Sequence, residues 1–204
     1  MRLYLVRHGE TESNRQGLAM GRADISLNER GRWQVQRLAR TLAIEPLAAV
    51  YSSPLSRALD TARAIASEHG LPVQVEEGLI EMDIGEAEGL TYAEVRSRFP
   101  GLLEAWGGAS GPEQAMPGGE RLSDVQARAW EAIRAIAARH GGEVACAVTH
   151  NFAILSILTR VLGMELANFR RLHHSVAAIS VLELRPDSAL LLSLNDTCHL
   201  SAGD

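Results

Sequence analysis

The stretch Arg2-Leu3-Tyr4-Leu5-Val6-Arg7-His8-Gly9 decides how the rest of the chain is read. An apolar run over 2–7 stops abruptly at Arg7-His8-Gly9, the pattern of a strand that delivers charged side chains into a loop. Downstream, Ser26 and Glu29 stand at capping-box spacing, and Trp33, Leu38 and Leu42 predict a helix to about Ala43. Leu47 to Tyr51 reads as a short strand. Pro54 opens a second helix, with Leu55, Leu59, Ala62, Ile65 and Ala66 at helical spacing and Gly70 as its stop. Val73 to Val75 is another strand candidate, followed by an acidic segment over 76–88. Thr91 and Glu94 cap a short helix that Pro100 ends. A long helix over 121–140, a strand over 143–149 and a buried helix over 152–162 come next. Val176 to Leu184 and Leu190 to Leu194 flank a Pro186-Asp187 turn, as in a hairpin or a pair of edge strands.

Strands that alternate with helices, and that are themselves apolar with little alternation, predict an α/β fold: a three-layer sandwich with a mainly parallel central sheet flanked by helices. No break in this pattern marks a linker, so one domain over 1–204 is expected. Residues 107–119 hold five glycines and two prolines. They belong to a lid-like insertion around 90–120 rather than to a boundary.

In such folds ligands bind outside the carboxyl ends of the strands. That rule selects Arg7 and His8 after the first strand, Ser52, Ser53 and Arg57 after the second, and His150 after the strand ending at Thr149. The chemistry they share is that of a phosphate monoester, a dianion whose oxygens call for arginine forks and imidazole donors. Arg7 and Arg57 supply forks, His150 can donate to a nonbridging oxygen, and a neutral His8 offers a nitrogen lone pair for in-line attack. Gly9 would let the backbone pass close to the anion. The leaving alkoxide needs a proton, and Glu81, after the apolar pair Leu79-Ile80 at an expected strand end, is the best donor in the acidic segment.

Composition narrows the classes further. With 46% hydrophobic and 22% charged residues, the 204-residue chain is neither disordered nor membrane-embedded. No apolar run approaches the ~18 residues of a spanning helix, and the N-terminal run is too short for a signal peptide. A net charge of −5 disfavours nucleic acid and anionic membranes as partners. Cys146 and Cys198 lie far apart without metal-site spacing, as expected of reduced thiols in the cytoplasm. No HxH, HExxH or DxD cluster is visible, so neither metal nor cofactor is expected. The partner implied is a small phosphorylated metabolite, and a homodimer is left open.

Several runs together resemble the histidine phosphatase superfamily, in its phosphoglycerate-mutase-like branch. They are Leu5-Val6-Arg7-His8-Gly9-Glu10-Thr11-Glu12-Ser13-Asn14, Ser52-Ser53-Pro54-Leu55-Ser56-Arg57-Ala58, Glu81-Met82-Asp83-Ile84-Gly85, Pro117-Gly118-Gly119-Glu120 and Val148-Thr149-His150-Asn151. The resemblance implies His8 as phospho-acceptor and Arg7, Arg57 and His150 as the phosphate pocket. It implies Glu81 as proton donor and then as base for the hydrolytic water, and Asn14 as a further phosphate contact. Gly21, Arg15, Arg22 and Asn151 join the expected substrate-binding set. Three positions depart from the family's frequent residues: Met20 stands where glutamine is common, Asn151 where glycine is, and Ala87 where tryptophan is.

The run after Glu81 is closer to the broad phosphatases, which include α-ribazole phosphatases, than to the mutases. The runner-up is a cofactor-dependent phosphoglycerate mutase, which must exclude water and hold a second anionic group. The candidate lid over 99–119 carries no lysine or arginine, and the nearby spare cations are Arg15, Arg22, Arg96 and Arg98. A non-catalytic phospho-ligand sensor is weaker, because it needs neither nucleophile nor acid. His69, His140 and His199 read as structural, and His173 with His174 as a solvated loop pair.

Overall fold

A computed structural model describes residues 1–201; the last three positions of the expected 1–204 domain lie outside the described residues. The order is β1 (Arg2–Arg7), α1 (Glu12–Gln16), α2 (Glu29–Leu42), β2 (Leu47–Ser52), α3 (Ser56–Glu68), β3 (Val73–Val75), α4 (Tyr92–Arg98), α5 (Leu102–Gly107), α6 (Leu122–Arg139), β4 (Val144–Thr149), α7 (Asn151–Val161), β5 (Ile179–Leu184), β6 (Ala189–Asp196) and α8 (Cys198–Ser201). One six-stranded sheet runs β3-β2-β4-β1-β5-β6. Strands β1 to β4 are parallel, and β5 is antiparallel to both β1 and β6.

The strands show little hydropathy alternation because both faces are covered. Leu3 and Leu5 of β1 enter one core with Ile133 and Ile136 of α6 and Leu158 of α7. Tyr4 and Val6 enter the other core with Leu38 and Leu42 of α2 and Ile65 of α3. Each fully buried leucine or isoleucine contributes about 1.5–3 kcal/mol relative to exposure. Adjacent strands β1 and β4 send the chain to opposite faces, β1 toward α2 and β4 directly into α7. A crevice opens at their carboxyl ends, where such a switch leaves room for a ligand.

Local details differ from the sequence reading. The N-cap of α2 is Asn28, not Ser26: its side chain accepts the Gly31 N–H at 2.7 Å and donates to Glu10 at 2.8 Å. One residue thereby caps the helix and ties it to the loop after β1, which Ser26 does not. Helix α3 starts at Ser56, after the Pro54 turn. Glu81 follows a 3₁₀ turn over Glu77–Leu79 and not a strand. Gly9 is needed for packing against α2: a Cβ there would stand 2.7 Å from the Gly31 carbonyl and 2.8 Å from Val35.

The segment over 90–120 carries α4, α5 and a 3₁₀ turn over Gly111–Glu113. It is anchored by buried Trp106, which meets Phe152 and Phe169 edge-on at 5.4 and 5.5 Å. Among the described residues, no helix is long and apolar enough to cross a membrane.

Candidate active site

Strand β1 ends at Arg7 and places His8 at the mouth of the crevice, buried. The His8 Nδ1 stands 2.7 Å from the Gly9 carbonyl. A carbonyl only accepts, so Nδ1 carries the proton and Nε2 keeps its lone pair. Burial, and then the charges of Arg57 and Arg7, hold the His8 pKa well below 6.5. His8 is therefore neutral at physiological pH, as a nucleophile must be.

Arg57, in the first turn of α3, is fully buried. It donates to the carbonyls of Ala23 and Gly21 at 2.7 Å each and, through Nε, to His150 Nδ1 at 3.3 Å. A guanidinium has no acceptor, so His150 accepts at Nδ1 and carries its proton on Nε2, 2.7 Å from Ser53 Oγ. The His8 and His150 rings lie 5.1 Å apart. Burial first, then nearby charge, keeps His150 neutral as well.

Arg7 donates to the His174 carbonyl and, at 3.2 Å, to Asn151 Oδ1. Its Nε is buried without a partner, and burial lowers its pKa to about 10. Among the described residues neither Arg7 nor Arg57 is paired with a carboxylate. Two buried cations satisfied only by neutral acceptors create a strong demand for an anion.

Glu81 is buried at the N-terminus of α7. Its Oε1 accepts from Met82 at 2.9 Å, Phe152 at 3.2 Å and Ala153 at 3.4 Å, while Oε2 accepts from Phe152 at 3.2 Å. Burial raises its pKa; the backbone N–H groups, Arg57 and Arg7 oppose that rise without cancelling it. The carboxyl thus keeps its proton above the usual carboxylate range. Its segment is clamped from behind by Arg128 of α6, which donates to the carbonyls of Gly78 and Glu81 at 3.0 Å each. Thr149 Oγ1 donates to the Leu79 carbonyl from the end of β4.

His8, Arg7, Arg57, His150 and Glu81 therefore surround one crevice. Asn151 joins them by orienting Arg7. Gly21 joins through its carbonyl on Arg57, and a Cβ there would stand 2.5 Å from the Met82 carbonyl. Asn14 lies in the cap of α1, where its Oδ1 accepts the Thr11 N–H at 3.1 Å and hydroxyl at 3.0 Å. Arg15 is turned away from the crevice: its side chain is 62% exposed and paired with Glu12 one helical turn back. Arg22 is held by Glu120 at 2.7 Å and donates to the Glu81 carbonyl at 3.3 Å. Sequence reading missed Ser53 as the partner of His150, Arg128 as the clamp, and the His174 carbonyl on Arg7. Of these only Ser53, at a strand end, carried a signal. His174 is buried and donates or accepts at Ser180, so it is not a solvated loop residue.

The family model described as histidine phosphatase superfamily (branch 1) matches residues 3–197. "Phosphoserine phosphatase 1" of Hydrogenobacter thermophilus is 34% identical over 98% of this chain and 94% of its own length. "Metal-independent phosphoserine phosphatase" of Arabidopsis thaliana is 33% identical over 98% of this chain and 83% of its own. The "Bifunctional protein Rv2228c" of Mycobacterium tuberculosis is 38% identical, but the chain spans only 55% of that protein's length. Among solved structures, Bacillus stearothermophilus YhfR superposes with a TM-score of 0.91 at 31% identity, covering 98% of each chain. With a site of this geometry and a match that runs nearly end to end, the chain belongs to the histidine phosphatase superfamily, branch 1.

Proposed function

We propose that the protein is a phosphomonoesterase that hydrolyses a small phosphate ester through a covalent phosphohistidine at His8. The observation that carries this reading is the neutral His8 ring, its Nε2 lone pair kept free by the Nδ1 contact, beside the buried charges of Arg57 and Arg7, which have no carboxylate partner among the described residues. An ester phosphate seated on Arg7 and Arg57 places its phosphorus before Nε2. Attack forms the N–P bond and breaks the P–O bond to the alcohol, which takes its proton from Glu81. The Glu81 carboxylate then removes a proton from water, whose oxygen attacks phosphorus. The N–P bond breaks, inorganic phosphate leaves, and His8 and protonated Glu81 are restored. The arginines supply the charge that a metal supplies in other phosphatases. The phosphatase names of the Hydrogenobacter thermophilus and Arabidopsis thaliana relatives support the same reaction class.

A mutase needs spare cations for a second anionic group, and the four nearby candidates are engaged. Arg15 pairs with Glu12, Arg22 with Glu120 and Arg98 with Glu86, while Arg96 stacks on Tyr92. The test supplies 3-phosphoglycerate with 2,3-bisphosphoglycerate and follows both products. Little 2-phosphoglycerate and at most slow phosphate release are expected. Isomerisation outpacing hydrolysis by about tenfold would replace the phosphatase with the mutase.

A further inference from the structure

Beside the crevice, on the Glu81 side, lies an apolar cavity of about 310 Å³. Met20, Ile84, Trp106, Phe152 and Phe169 form much of its wall, and Arg170 and Tyr92 stand exposed at its rim. Phe152 belongs to both sites: its backbone N–H holds the Glu81 carboxylate, and its ring faces Trp106. Met20 joins them from the opposite side, since the next residue, Gly21, accepts from Arg57. The indole N–H and the backbone N–H groups over 17–19 in the wall are already spent. Trp106 Nε1 donates to Gln114 at 3.1 Å, and the N–H groups of Gly17, Leu18 and Ala19 donate to the carbonyls of Asn14, Ser13 and Leu90. Arg170 itself lies over the Trp106 and Phe169 rings at 5.3 and 5.2 Å.

Resting on the phosphomonoesterase reading above, we infer that this cavity seats the leaving alcohol. The enzyme then prefers phosphate esters whose alcohol has an apolar, ring-sized body over esters of small polar alcohols such as phosphoserine. A general acid must touch the leaving oxygen, so the carbon skeleton on that oxygen begins beside Glu81, whose carboxyl is held by Phe152, a residue that also lines the cavity. An apolar cavity of ~150 Å³ suffices for benzene, so this one has room for a phenyl group. The ammonium of a seryl group would lose water there against Met20, Ile84, Trp106, Phe152 and Phe169. Met20 and Ala87 both line the cavity, and the short Ala87 side chain leaves it open on that side.

The test compares kcat/KM for phosphate release from 2-phenylethyl phosphate, ethyl phosphate and phosphoserine. These alkoxides are all poor leaving groups, which keeps the comparison on binding of the alcohol. A preference of at least about tenfold for the phenylethyl ester is expected, the scale on which apolar pockets discriminate. Trp106→Ala and, at the half-buried edge of the cavity, Leu103→Asp should both collapse the phenylethyl-to-ethyl ratio toward one. A ratio within one preparation is independent of the fraction folded. Phosphoserine or ethyl phosphate turned over as well as the phenylethyl ester would overturn the inference and leave the phosphatase standing. Release of phosphate from none of the three, nor from p-nitrophenyl phosphate, would remove both.

Discussion

Both carboxylate oxygens of Glu81 accept the backbone N–H of Phe152, each at 3.2 Å. The proposed acid is thus seated on the first turn of the helix that also carries Asn151 toward Arg7. Burial raises its pKa, so the proton it donates is retained above the ordinary carboxylate range. Activity on alkyl phosphates should therefore fall as pH climbs through that raised value, since the deprotonated form has no proton to give. Glu81→Gln should damage alkyl esters at least about tenfold more than p-nitrophenyl phosphate, whose weakly basic leaving group needs little assistance. Equal losses on both would move the acid elsewhere, with Asp83 the first residue to test.

His8→Ala should lower kcat by more than about a hundredfold on every ester, because nucleophile losses run to several powers of ten. His150 lies 5.1 Å away, ring to ring, but its Nδ1 accepts from Arg57 and its Nε2 faces Ser53. It has no lone pair to offer. Quenching wild-type enzyme on a ³²P-labelled ester with alkaline detergent should trap an acid-labile, base-stable label that the variant lacks. A variant with near-normal turnover would end the covalent mechanism.

Turnover should survive exhaustive EDTA treatment and be inhibited competitively by vanadate. Arg7 and Arg57 provide the positive charge, and an oxyanion of phosphate-like shape satisfies both. Loss on chelation with recovery on adding one divalent metal would refute the arginine-based account.

Stability should decline as pH falls below about 6.5, the unfolded histidine value. Folded His8 and His150 take up protons only well below it, so between the two values the unfolded chain binds more protons. Each such imidazole then removes about 1.4 kcal/mol per pH unit, and no such loss occurs above 6.5. Glu81 has the opposite sign, favouring the fold as pH falls from its raised value toward 4.5. The urea midpoint should drop between pH 7 and 5.5, and less steeply in His8→Ala, which retains His150 and His174. Equal slopes would show that His8 is not a source of the effect.

The crevice residues legible in the sequence are those that stand at the end of their own strand. Arg7, His8 and His150 follow apolar runs, and Arg57 opens the helix after one, so the rule for parallel sheets found them. Glu81 was legible only as an acid after an apolar pair. What seats it is a helix distant in sequence, and periodicity reports a residue's own element, not what docks against it. Arg128 carried no signal for the same reason, since a single arginine on a long helix reads as a solvated charge. Arg15 stands close to the His8 loop in sequence, but closeness along the chain is not reach. One turn of α1 sets Glu12 against it and turns it outward.

The contact between Gly9 and Gly31 bears on how this protein tolerates variation. A methyl group at Gly31 would stand 2.0 Å from the Glu10 carbonyl. Alanine would otherwise favour a helix there by about 1 kcal/mol. Because Glu10 lies two residues beyond His8, a side chain at Gly31 must push the loop that carries His8 off the helix beneath it. A mutational scan scored on turnover would mark Gly31 as depleted alongside His8 and Arg57, although it meets no reacting atom. The neighbouring surface positions of the same helix would accept nearly anything.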